Sequence, residues 1–248
     1  MKSSENYYSF QNPFPRVCPL GEGEIHVVRL DVEELRPFLR ELFGLLSFDE
    51  LARASRYRYP KDGDQFILVR GALRLMLGRY LALHPQELAF EYNPQGKPKV
   101  GELQNQRGVR FNISFSGNIA VYAFSHDIVV GVDVEQVDAT LDFHRVKDRF
   151  LNKRDSEFLD SLPETIRQDS FFALWTLHEA KAKAEGEGIF LRAFQTPFSW
   201  EQWTACSLFP GVGYSATLVM EKPGNRLLFW NWSNEAIGLF HGPTGKKE

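Results

Sequence analysis

The sequence predicts an α+β fold. Each half of the 248-residue chain combines strand-like runs of period two with one long helical pattern and a closing β-like segment. No repeat stands out by identity, and no Gly/Ser- or Pro-rich tract is long enough to be a disordered linker. With 43% hydrophobic and 25% charged residues, the chain can bury a sizeable core.

In the first half, Glu24 to Val32 alternates as a strand, and Ser47-Phe-Asp-Glu50 has the spacing of a capping box opening a short helix. From Asp64 to about Leu81, Phe66, Ile67, Leu73, Met76, Leu77, Tyr80 and Leu81 recur at three- and four-residue steps, so that helix buries one face. Arg70 and Arg74 interrupt that face at i,i+4. Leu88, Phe90 and Tyr92 alternate, and Asn93-Pro-Gln-Gly-Lys-Pro98 then places Lys97 on a loop. Val109 to Ser114 and Ile119 to Ser125 are strand-like around a Ser116-Gly117-Asn118 turn.

The second half opens with Ile128 to Glu135, in which Ile128, Val130, Val132 and Val134 share one face while Asp133 and Glu135 end the other. Helical patterns cover Lys153 to Ser161 and Thr165 to Glu185, with Gly186 and Gly188 as stop residues. Tyr214 to Met220 and Leu227 to Trp232, flanking Lys222-Pro-Gly-Asn225, suggest a terminal hairpin.

Several function classes are disfavoured by composition. A formal net charge of −3 suits no nucleic-acid partner, and the start, Met1 to Phe14, lacks the basic-then-apolar pattern of a leader. No apolar run approaches membrane-spanning length, and Cys18 and Cys206 are too few and too far apart for a disulfide framework. A cytoplasmic protein with no membrane partner is expected. Locally, Arg53, Arg56, Arg58, Lys61, Arg70, Arg74 and Arg79 stand against only Asp62 and Asp64. That stretch is either a solvated helix face or a surface for a polyanionic ligand.

Asp133 and Glu135 carry the chemistry forward. Two residues apart on a strand, their carboxylates lie on one side about 7 Å apart, a gap that a hard cation can bridge, although a solvent-exposed strand end is the favoured reading of the pair taken alone. Trp175, Glu179 and Lys183 form an i, i+4, i+8 stripe on the second long helix, placing a third carboxylate beside a lysine. A surface salt bridge is the bland alternative for the Glu179–Lys183 pair. The apolar turn Phe171, Phe172, Leu174, Trp175 argues for a position at the core edge.

The run Gly131-Val-Asp133-Val-Glu135, followed by Trp175-Thr-Leu-His-Glu179-Ala-Lys-Ala-Lys183, resembles the signature pair of the Sfp-type 4′-phosphopantetheinyl transferases. Gly96-Lys97-Pro98 resembles the family's Gly-Lys-Pro motif, and Asn112-Ile-Ser114-Phe-Ser116 its Asn-x-Ser-His-Ser motif. The Arg70/Arg74 helix resembles its early arginine-rich helix. Two positions depart from the family pattern: Phe115 stands where a histidine is usual, and His178 where a lysine usually precedes the helix glutamate. The resemblance implies a pseudo-dimer of two similar α+β subdomains, residues 1–126 binding coenzyme A and residues 127–248 carrying metal and catalytic groups.

It further implies Asp133, Glu135 and Glu179 as ligands of Mg2+, with Mn2+ as an alternative ion, and Glu179 and Lys183 as catalytic residues. Arg53, Arg56, Arg70, Lys97, Pro98, Ser114 and Phe115 are the candidates for contact with coenzyme A. The implied reaction moves 4′-phosphopantetheine from coenzyme A to a serine of an acyl, peptidyl or aryl carrier protein and releases 3′,5′-ADP. A fused pseudo-dimer implies a monomer. A non-catalytic module binding coenzyme A or a carrier protein without transfer is the rival raised by Phe115 and His178, and retention of the three carboxylates with Lys183 weighs against it.

Overall fold

A computed structural model describes residues 8–15, 19–186, 194, 196–221 and 224–233, so Cys18, Gly188, Lys222 and His241 lie outside the described residues. In chain order the strands are β1 (Tyr8–Ser9), β2 (Asn12–Pro13), β3 (Glu24–Asp31), β4 (Phe90–Tyr92), β5 (Pro98–Val100), β6 (Val109–Ser116), β7 (Ile119–His126), β8 (Val130–Gln136), β9 (Trp203–Phe209), β10 (Tyr214–Glu221) and β11 (Arg226–Asn231). The helices are α1 (Val32–Leu35), α2 (Leu39–Phe43), α3 (Phe48–Ala54), α4 (Pro60–Leu81), α5 (Phe143–Phe150), α6 (Lys153–Ser161) and α7 (Glu164–Glu185).

The expected long helices are α4 and α7, each of 22 residues. Pro60 supplies the first turn of α4 without losing an internal hydrogen bond. Gly186, at φ +73°, ends α7 in the left-handed conformation that glycine adopts without strain. The predicted capping box is formed at the start of α3, where the Ser47 N–H donates to Glu50 Oε2 at 3.0 Å. Among the described residues, no helix is long and apolar enough to cross a membrane.

Two sheets make the frame, one ordered β2-β11-β3-β7-β6 and the other β1-β9-β10-β8, with β4-β5 as a separate ribbon. The alternation of β8 works as predicted: Val130, Val132 and Val134 enter a core shared with Ile25, Val27, Ile119, Val121 and Ala123 of the facing sheet. On its outer face the five-stranded sheet is covered by α4, whose Leu68, Leu73 and Met76 join Val28, Leu30, Tyr122 and Phe124 in a second core. The other sheet packs against α7. The order of layers is helix, sheet, sheet, helix, the α+β architecture expected of the family.

The terminal hairpin is a correction. β10 has β8 on one edge and β9 on the other, both antiparallel, which leaves no edge for β11. β11 instead runs parallel to β3 in the other sheet, with Leu227 opposite Ile25, and β1 pairs in parallel with β9. Each end of the chain thus adds a strand to the sheet built mainly by the opposite half.

Candidate active site

The two sheets meet at β6 and β8, which are joined by side chains rather than by a backbone ladder. Asn112, Ser114 and Ser116 alternate along β6 and point the same way. Asn112 Oδ1 accepts the Val132 N–H at 2.9 Å, Ser114 Oγ donates to Asp133 Oδ1 at 2.7 Å, and Ser116 Oγ donates to Glu135 Oε2 at 2.8 Å. The serine motif of one half therefore holds the carboxylate motif of the other.

From the opposite side comes α7. Gly131 lets it approach, since a Cβ there would lie 1.9 Å from the Ala180 carbonyl oxygen and 2.6 Å from the Ala184 nitrogen. This close packing brings Glu179 and Lys183 over β8. Oxygens of Asp133, Glu135 and Glu179 lie within 4.8 Å of one another. Lys183 Nζ donates to Asp133 Oδ1 at 2.5 Å and to Ser114 Oγ at 2.8 Å.

The cluster is rich in negative charge. Asp133 is 1% and Glu179 6% exposed. Burial pushes the Asp133 carboxyl above the usual aspartate range, against the opposing pull of Lys183 and Ser114. Burial and then the neighbouring Asp133 charge raise Glu135. Glu179 is pushed up to about 7, first by burial and then by Asp133, although the Trp175 indole gives it a hydrogen bond. Among the described residues, Asp133 Oδ2 is buried with no hydrogen-bond partner. A buried carboxylate oxygen without a donor, in a three-acid cluster with one lysine, fits a hard divalent cation.

The remaining predicted residues fall into two groups. Lys97 Nζ caps the end of α7, donating to the Lys183 carbonyl at 2.5 Å and the Ala184 carbonyl at 3.1 Å. Burial, and then repulsion from Arg110, lowers its pKa to about 8. The loop before it is latched too, for Asn93 Nδ2 donates to the Gly186 carbonyl at 2.8 Å. Lys97 and Pro98 line an 840 Å³ cleft with Arg110, Val130, Gly186 and Trp203.

The second group lies on the basic stretch. Arg53 and Arg56 line a 570 Å³ pocket with Phe48, Glu50 and Tyr92. Arg70 is buried beside it, with Nε 3.1 Å from Glu50 Oε1 and Nη2 donating to the Tyr92 hydroxyl at 3.2 Å. Phe115 is 38% exposed and points away from Ser114 and Ser116, as strand alternation requires.

Sequence reasoning passed over Gly131, Trp175 and Ser116 as site residues. Gly131 and Ser116 stood inside motifs already singled out, and period two along β6 put Ser116 on the side of Ser114. His178, which stands where the family pattern has a lysine, turns to Asp155, with Nε2 2.6 Å from Oδ2.

Comparison with known proteins points the same way. Residues 129–231, which contain β8, α7 and the strands after it, match the model of the 4′-phosphopantetheinyl transferase superfamily. The chain is 38% identical over 177 residues to 4′-phosphopantetheinyl transferase HetI of Nostoc sp., covering 71% of this chain and 75% of that protein. It is 31% identical over 161 residues to the transferase psf-1 of Bacillus pumilus, covering 65% of this chain and 64% of the relative. With Sfp of Bacillus subtilis it shares 26% identity over 160 residues, 63% of this chain and 69% of that enzyme. An identity sustained over three quarters of HetI, together with a carboxylate cluster in the segment the family model matches, makes the chain a member of the 4′-phosphopantetheinyl transferase superfamily.

Proposed function

We propose that this protein transfers the 4′-phosphopantetheine group of coenzyme A to a serine hydroxyl of an apo acyl, peptidyl or aryl carrier protein, releasing 3′,5′-ADP. The observation that carries this reading is the convergence of Asp133, Glu135 and Glu179 around an unpartnered carboxylate oxygen in a member of this family. Asp133, Glu135 and Glu179 would hold Mg2+, or Mn2+ in its place. The ion, when bound, supplies positive charge to offset the pyrophosphate as its bridge breaks.

The chain's own residues do the rest. Ser114 and Ser116 orient Asp133 and Glu135 through the hydrogen bonds described, so the acids are positioned before substrate arrives. Glu179, on a different element from the other two acids, is placed to receive the proton of the attacking serine. Lys183, within reach of the same cluster, would neutralise the departing phosphate. Arg53 and Arg56 beside Tyr92, with Lys97 and Pro98 of the other cleft and Phe115 on the exposed side of β6, would contact coenzyme A. Arg70, paired with Glu50 and Tyr92, and Ser114, paired with Asp133 and Lys183, would shape the site around it.

On this reading residues 1–126 mainly bind coenzyme A and residues 127–248 mainly bring metal and catalytic groups. The enzyme would work as a monomer in the cytoplasm, with neither nucleic acid nor membrane as partner. Incubation with apo carrier protein, coenzyme A and Mg2+, followed by intact-mass spectrometry, tests the proposal. The expected product is carrier protein bearing one phosphopantetheine on serine, dependent on the metal. Absence of that mass with several carrier classes would overturn the transfer reading.

A further inference from the structure

His178 precedes Glu179 on α7, yet its environment is wholly different. It is 0% exposed, and Nε2 lies 2.6 Å from Asp155 Oδ2. The same Asp155 oxygen accepts Asn152 Nδ2 at 2.6 Å. Asn152 is the N-cap of α6, its side chain accepting the Asp155 N–H at 3.0 Å, and its own N–H donates to the Phe194 carbonyl at 2.9 Å. Phe194 closes the group, its ring 4.6 Å from Trp175 and 5.5 Å from His178.

One turn of α7 is therefore held from two directions. Gly131 of β8 fits against Ala180 and Ala184, and Thr176 Oγ1 lies 2.9 Å from Thr217 Oγ1 of β10. On the α6 side stand Asp155 and Phe194. Consecutive helix residues point about 100° apart, so anchoring His178 fixes where Glu179 points. Lys183, one turn on from Glu179, is tied to Asp133 and Ser114. The sheet thus holds one flank of this turn and the His178–Asp155 pair the other, and a misplacement of about 1 Å costs catalysis about 10²-fold.

We propose that the buried His178–Asp155 pair is a positioning dyad that sets the rotation of α7 and so holds Glu179 against Asp133 and Glu135. The inference rests on the metal reading given above, and Mn2+ affinity measured by electron paramagnetic resonance separates the two. His178→Ala should weaken Mn2+ binding about 10- to 100-fold, the usual range for losing a residue that supports a metal ligand. It should lower kcat with little change in KM for the carrier protein, while His178→Gln, retaining a side-chain donor toward Asp155, restores both to within about threefold.

Should His178→Ala fail to fold, the isosteric Asp155→Asn carries the test, with an expected loss of about 3- to 10-fold in Mn2+ affinity. A folded His178→Ala or Asp155→Asn that binds Mn2+ within twofold of wild type, with kcat unchanged, would overturn the dyad. If wild type and Glu179→Ala bound Mn2+ equally, the metal reading would fall instead. The dyad would then stand or fall on the kcat loss and its rescue by His178→Gln.

Discussion

Two buried ionic clusters, one in each half, solve opposite problems. In the first, Glu50 meets two arginines, with Arg74 Nε 2.7 Å from Oε2 and Arg70 Nε 3.1 Å from Oε1. Its surplus positive charge is absorbed locally. Arg74 donates to the Pro85 and Leu88 carbonyls at 2.8 and 3.0 Å, and both guanidinium groups lie over the Phe90 ring. In the second, Asp133, Glu135 and Glu179 share Lys183, and the other Asp133 oxygen has no donor among the described residues. Glu50 Oε1 also makes no hydrogen bond among the described residues, yet it faces the Arg70 guanidinium at 3.1 Å. What separates the clusters is therefore the sign of the excess charge: three carboxyls to one lysine leave a place for a cation.

The largest difference should appear when each cluster loses its central acid. Asp133→Ala should reduce kcat/KM for transfer by about 10² or more while the protein stays folded, because the group lost acts on the substrate through the metal. Glu50→Ala should instead destabilise the fold by about 3 to 5 kcal/mol, since it strands two buried guanidinium groups. Denaturant melts and steady-state kinetics on both variants measure the contrast. A folded, fully active Asp133→Ala, or a Glu50→Ala of normal stability, would erase it.

How far this contrast was legible in the sequence depends on range. β8 and α7 could be read locally, because Val130, Val132 and Val134 fixed which side Asp133 and Glu135 faced, and Trp175, Glu179 and Lys183 lay on one stripe. The arginine cluster was half legible. The pattern put Arg70 and Arg74 on the apolar face of α4, but nothing local named Glu50, twenty and twenty-four residues upstream, as their counterion. The destination of β11 was not legible at all. Which sheet edge remains free is settled by strands far away in sequence, and a turn-like Lys222-Pro-Gly-Asn225 is compatible with a crossing as well as a hairpin.

A smaller effect distinguishes the clusters by pH. With its folded pKa raised to about 7, Glu179 keeps a proton that the unfolded chain has released above about 4.5. The resulting stability is full below the unfolded value and is lost as pH rises through the folded one. Metal-free protein should therefore melt about 5 °C lower at pH 8 than at pH 5, at about 2 to 4 °C per kcal/mol for a chain of this size. Mg2+ should recover the loss at pH 8 but not at pH 5, where Glu179 binds a proton instead. Glu179→Gln should flatten both the pH slope and the Mg2+ response, which differential scanning calorimetry would resolve. A slope of the opposite sign would show that Glu179 is not held protonated.

The smallest effect concerns Phe115, where the chain departs from its family beside the serines that serve the acidic cluster. Phe115 is 38% exposed on β6 and lies on the opposite side from Ser114 and Ser116, so replacing it disturbs neither carboxylate hydrogen bond. A phenyl ring offers no donor to a phosphate, whereas an imidazolium does. A charged hydrogen bond contributes about 1.5 to 3 kcal/mol when fully formed, and at a partly exposed site the lower part of that range applies. Phe115→His should therefore tighten coenzyme A binding by up to about tenfold at pH 6 and by less at pH 8. Turnover should change by less than about twofold, because the added donor does not alter the groups around Asp133. Calorimetric Kd values and kcat for both proteins across pH 6 to 8 provide the measurement. A large loss of affinity in folded Phe115→His would mean that coenzyme A packs on the ring, and that this chain has replaced a polar contact with an apolar one.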